Sequence, residues 1–83
     1  MKLLAERYEK RRNLQRAINV YQQLVAADSF QEDVHRGLMR CFYQQGDRAA
    51  AIRQYQTCVD VLRDELGLSP EDETEELYLK IIG

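Results

Sequence analysis

Residues 13–25 read NLQRAINVYQQLV and residues 47–59 read DRAAAIRQYQTCV. Laid over one another at an offset of 34 residues, Ala17 falls on Ala51, Ile18 on Ile52, Tyr21 on Tyr55, Gln22 on Gln56 and Val25 on Val59. Asn13 meets Asp47 at the head of each stretch, and upstream the offset puts Leu4 on Leu38 and Tyr8 on Phe42. Ala17, Ile18, Tyr21, Leu24 and Val25 recur at i, i+1, i+4, i+7 and i+8, one broad apolar face of an α-helix. The alanines suit the closest approach of two helices and the tyrosines, one turn later, fill the wider gap.

A period of 34 residues is that of the tetratricopeptide hairpin, whose two antiparallel helices bury their apolar faces only by stacking on neighbours. The predicted fold is therefore all-α: a tetratricopeptide-like α–α superhelix of two helical hairpins and a C-terminal helix, five helices in all. Repeat one is placed at 1–30, repeat two at 31–67 and the last helix at 70–82. The first helix is expected to run from near Met1 to Arg12 and to end where Asn13 turns, the second to run from Leu14 to Ala27. A third begins near Gln31, carries Val34, Leu38, Cys41 and Phe42, and stops at Gly46, which has no side chain to hinder a reversal. Asp47 then caps the fourth, whose inner face holds Ala51, Ile52, Tyr55, Cys58, Val59 and Leu62, with Leu66 a turn further on and Gly67 at its end. Ser69 and Pro70, or Asp72 with Glu75, open the fifth, which carries Leu77, Tyr78, Ile81 and Ile82. The packing signature is Leu4, Tyr8, Ala17, Tyr21, Leu38, Phe42, Gly46, Ala51 and Tyr55.

Eighty-three residues make at most one domain. Two repeats are fewer than the roughly three that stacking usually needs, so the chain is expected to be a piece of something longer or to self-associate. The position equivalent to His35 is Met1, as if the first hairpin began part-way through. Apolar residues at the two ends of the stack, Leu3, Leu4, Leu77, Ile81 and Ile82, are expected to stay open to a partner. That makes Leu3, Lys10, Arg11, Arg12, Leu77 and Ile81 the candidate interaction surface, and a homo-oligomer or docking against other domains the expected use.

A net charge of −2 argues against binding driven by phosphate neutralisation, which needs a basic excess. The charge is uneven: Lys2, Arg7, Lys10, Arg11, Arg12 and Arg16 make the N-terminal stretch basic, while the last third is acidic. Ends of opposite sign favour head-to-tail contact. Direct nucleic-acid contact is not expected, since the Lys10–Arg12 patch lacks any recognition element around it.

No catalytic, cofactor-binding or metal-binding set can be assembled. His35 is the single histidine and no three ligands converge on it. The carboxylates of Glu71–Glu76 would face water, which does not shift a pKa towards acid–base work. Cys41 and Cys58 sit in apolar helical patterns at no metal-like spacing, as buried thiols of a reduced, cytoplasmic protein. No apolar run approaches the ~20 residues that span a bilayer, so no membrane partner is expected.

Two motifs carry a resemblance. Residues 28–40, DSFQEDVHRGLMR, resemble the D-P-x-x-E-x-x-H-R-x-L-M-R linker and helix start of the bacterial transcriptional activator domain, and residues 62–70, LRDELGLSP, resemble its L-R-x-E-L-G-(V/L)-x-P segment. Residues 46–55, GDRAAAIRQY, fit between them. Ser29 replaces the usual proline and Gly37 the usual alanine. The resemblance implies a transcriptional regulator in which a winged-helix DNA-binding domain precedes the helical repeats and another helical pair precedes the position of Met1. It also implies that the repeats serve self-association and pass on activation, that some relatives add an ATPase, and that DNA binding lies outside these residues. A free-standing tetratricopeptide adaptor cradling a peptide on its concave face is the alternative.

Overall fold

A computed structural model describes residues 1–83. It contains five helices and no strand: α1 (Lys2–Lys10), α2 (Leu14–Ala27), α3 (Glu32–Gln44), α4 (Arg48–Val61), prolonged by a π-helical turn over Leu62–Leu66, and α5 (Asp72–Ile82). Short connections fold each helix back on its predecessor. Three side-chain contacts then fix α1, α3 and α5 as parallel and in register: Lys2 Nζ lies 3.0 Å from Asp33, Arg12 Nη1 donates to Gln44 Oε1 at 2.9 Å, and Arg36 Nη1 donates to Glu71 Oε1 at 3.1 Å. The α1–α2 and α3–α4 turns therefore share one end of the molecule, and the α2–α3 and α4–α5 connections share the other.

The two turns are built alike. Gly46 takes φ 83°, its N–H bonds Tyr43 O at 3.0 Å, and the Asp47 N–H reaches Phe42 O at 2.9 Å. Thirty-four residues earlier Arg12 takes φ 62°, its N–H bonds Glu9 O at 3.0 Å, and the Asn13 N–H reaches Tyr8 O at 2.9 Å. Both are the glycine-type stop that satisfies the last helical carbonyls. The first helix thus ends at Lys10 rather than Arg12, and Arg12 carries the left-handed conformation of the turn. Asp47 Oδ1 accepts from the Ala50 N–H at 3.1 Å, whereas Asn13 makes no side-chain cap.

The core has two parts bridged by Phe42. Ala5, Ala17, Ile18, Val20, Tyr21, Val34, Leu38 and Cys41 fill the first, where α2 meets α1 and α3; Met39, Ala51 and Ile81 anchor the second, with Ile52, Tyr55, Leu77 and Tyr78 packed around them. Ala17 and Ala51 are both fully buried. Tyr21 lies over Gly37, so closely that a Cβ there would sit 2.4 Å from the ring. Tyr55 instead stacks on Tyr78, with ring centroids 3.9 Å apart.

Two expectations need correction. Leu4 is 42% exposed although its counterpart Leu38 is 1% exposed, because α2 covers α3 on the side where nothing covers α1; Ala5 takes the inward place. Ile81 is not an open end-face residue but is wholly buried, because α5 folds back over α3 and α4. That helix also begins late. α3 starts at Glu32 and α5 at Asp72, an offset of 40 residues, and at that offset buried Val34 matches buried Thr74 and Cys41 matches Ile81.

Candidate functional site

Most of the long polar side chains on α3 are engaged in holding helices together. Glu9 on α1 is clamped by Arg40, whose Nε and Nη2 reach its two oxygens at 2.7 and 3.1 Å, and it also accepts from the Tyr21 hydroxyl at 2.8 Å. Burial and then the Glu9 carboxylate push the Tyr21 pKa up, while the bond to Glu9 raises that of Arg40 further. Beside this cluster a hollow of about 480 Å³ opens between α1 and α3, lined only by Glu6, Glu9, Lys10, Arg12, Arg40 and Gln44.

One turn of α3 nearer its start, Glu32 and Arg36 hold the beginning of α5. Glu32 Oε2 accepts from the Glu71 N–H at 2.6 Å and from the Thr74 hydroxyl at 2.5 Å; Arg36 Nη1 donates to Glu71 Oε1 at 3.1 Å and to Thr74 Oγ1 at 2.9 Å. The helix N-terminus is therefore capped from two helices away, by neither Ser69 nor Asp72. His35 is buried with both nitrogens engaged: the Gln54 amide donates to Nδ1 at 2.8 Å, which leaves Nε2–H to donate to Ser29 O at 2.8 Å. It ties the α2–α3 connection to α4.

The structure does not gather the six candidate interaction residues on one surface. Leu3 is exposed at the start of α1, Lys10, Arg11 and Arg12 lie at the opposite end, Leu77 is half-buried and Ile81 is in the core. Sequence reasoning missed a different apolar group. Phe30, Leu66 and Leu68 are 45%, 48% and 57% exposed, and with Leu62 they line a second hollow of about 490 Å³ together with Glu32, Asp33 and Glu71. Leu66, a turn beyond the inner face of α4, is turned outward because the wider π-turn breaks the α-helical period.

Cys41 and Cys58 are free and buried, and burial pushes both thiols up to about 12. No three metal-ligating side chains converge anywhere, and no helix is long and apolar enough to cross a membrane. The sequence model of the bacterial transcriptional activator domain matches residues 1–82. The chain belongs to that family. Comparison with curated proteins and with solved structures returned no match. A bacterial transcriptional activator domain is a helical domain of transcription regulators and not an enzyme family. In this activator domain Glu32, His35 and Arg36 of the first motif lock α3 to α5, to α4 and to the preceding connection. Leu62 and Gly67 of the second motif form the π-turn and its left-handed stop, with Gly67 at φ 65°.

Proposed function

We propose that this chain is the protein-interaction and oligomerisation module of a bacterial transcriptional regulator, working in the cytoplasm, with DNA contact made by a winged-helix domain outside it. The observation that carries this reading is the internal use of the motif side chains. Glu32, His35 and Arg36 spend their polar atoms on neighbouring helices and on the α2–α3 connection, which suits a scaffold that presents surfaces and not a site that turns over a substrate. Exposed apolar side chains on α1, on α5 and around the π-turn supply surface for another protein chain. The test is multi-angle light scattering of the purified chain across concentration, with a gel-shift assay alongside. Mass should rise with concentration while DNA mobility stays unchanged. Specific retardation of a DNA duplex by this chain alone would refute the assignment.

A second reading, an adaptor that cradles a polar peptide, is favoured by one observation, the wholly polar hollow between α1 and α3. Peptide binding lost in an Arg40→Ala variant, with the chain monomeric throughout, would select it.

A further inference from the structure

Antiparallel folding sorts the charges of this chain differently from their order in sequence. The hairpin-turn end collects Lys10, Arg11, Arg12, Arg16, Arg48 and Lys80, all exposed and none with a carboxylate within ion-pairing distance. At the opposite end the hollow formed by Phe30, Leu62, Leu66 and Leu68 is lined by the carboxylates of Glu32, Asp33 and Glu71. Asp64, Glu65, Asp72 and Glu73 on the π-turn and the start of α5 add to them, and outnumber Lys2, Arg36 and Arg63, the cations that pair with some of these acids. The molecule is thus polarised along its helix axes rather than from N-terminus to C-terminus.

Several of these cations sit where folding disfavours them. Arg12 occupies a left-handed position that its counterpart fills with Gly46. Arg16 and Arg48 lie in the first turns of α2 and α4, at the positive ends of the helix dipoles; Asp47 caps the second of these beside Arg48, and Arg16 lies 6.0 Å from the centre of the Tyr8 ring. Tyr43 and Leu79, exposed near the same end, add apolar surface to the charge.

Resting on the oligomerisation reading above, we propose that copies of this chain associate head to tail along the helix axes. The basic turn end of one copy seats on the acid-rimmed apolar hollow of the next. Charge complementarity between two ends of one molecule makes the contact heterologous and open-ended, so it propagates rather than closing as a two-fold dimer. A hairpin stacked beside α1 would use the helix flank and leave both ends free.

The test is sedimentation velocity of the full chain across concentration at low and high salt, with two variants. Lys10→Ser/Arg11→Ser/Arg12→Gly blanks the basic end, and Glu65→Gln/Leu66→Ser/Leu68→Ser blanks the hollow without touching Glu32, Arg36 or Glu71. The unaltered chain should form a salt-sensitive series of oligomers, and each variant alone should lose roughly tenfold or more in association constant. Mixing the two should stop at a one-to-one dimer, because each supplies one intact end. Thermal melting checks that both variants remain folded. Oligomers that persist unchanged in both variants would overturn head-to-tail contact while leaving self-association standing; a chain monomeric at every concentration would sink both. Salt-sensitive retardation of a DNA duplex that disappears with the basic end, with chain size unaffected, would make a polyanion the occupant and overturn the proposal.

Discussion

Replacing Gly37 with alanine adds one methyl group at the tightest contact in the core. That carbon would lie 2.4 Å from Tyr21 Cζ and 2.7 and 2.8 Å from its Cε atoms, against an optimal carbon–carbon separation of about 3.5–4.0 Å. The ring must retreat by about 1 Å. It is poorly placed to do so, because it is buried and its hydroxyl is tied to Glu9, which Arg40 holds in turn. Alanine gains about 1 kcal/mol in helix propensity over glycine. Overpacking costs about 1–3 kcal/mol, and straining a buried hydrogen bond adds about 1 kcal/mol or more. The loss wins, for a net destabilisation of about 1–3 kcal/mol and a Tm lower by roughly 5–20 °C in a domain this size. Far-UV circular dichroism melts and urea titrations of the two proteins measure it. Adding Tyr21→Leu should recover part of the cost, so the double variant is less destabilised than the sum of the singles. A Gly37→Ala protein that melts at or above the parent temperature would refute the argument, and with it the claim that this glycine is a notch for Tyr21.

Four other expectations follow from particular contacts. Asp47→Ala should cost about 1 kcal/mol in urea unfolding through the lost cap, whereas Asn13→Ala at the equivalent site should be nearly neutral. Arg12→Gly should raise Tm, since relief of its left-handed backbone, worth about 1 kcal/mol, outweighs one exposed bond to Gln44. Glu32→Ala removes the acceptor shared by the Thr74 hydroxyl and the Glu71 N–H, leaving Thr74 only its bond from Arg36; α5 should become sensitive to limited proteolysis and Tm should fall, with about 1–3 kcal/mol lost. Burial raises Cys41 and Cys58 from 9.0 to about 12, and burial followed by Glu75 raises Tyr55 from 10.0 to about 12. The folded state therefore keeps protons that the unfolded chain has released, so their stability contribution is complete below the unfolded values and is lost as pH climbs towards 12. A series of melts from neutral to alkaline pH should show Tm falling above about pH 9, less steeply for Tyr55→Phe above about pH 10; a flat profile would contradict it.

The helices were legible because their signals are local. Periodic apolar residues located α2 at Leu14–Ala27, and Gly46, Asp47 and Gly67 marked turns and a cap from single side chains. What sequence reasoning missed is either a relation between distant residues or a break in periodicity. Nothing near Glu71 announces that Glu32, 39 positions earlier, will cap its helix. The outward turn of Leu66 depends on a π-turn that helical periodicity cannot foresee, and Ile81 is buried only because α5 folds back onto α3 and α4. The conformation of Arg12 was nearer to hand. Its alignment with Gly46 at the 34-residue offset already placed an arginine where the twin turn has glycine.

Tyr21 in its glycine notch and Tyr55 against Tyr78 solve one geometric problem in two incompatible ways. The halves of this chain are thus related by descent of pattern but are not interchangeable parts. A synthetic array made by repeating the first half would put Leu3 under Tyr21 where Gly37 belongs, and one made by repeating the second would deprive Tyr55 of its ring partner. Engineers extending this scaffold have to copy junctions, not units.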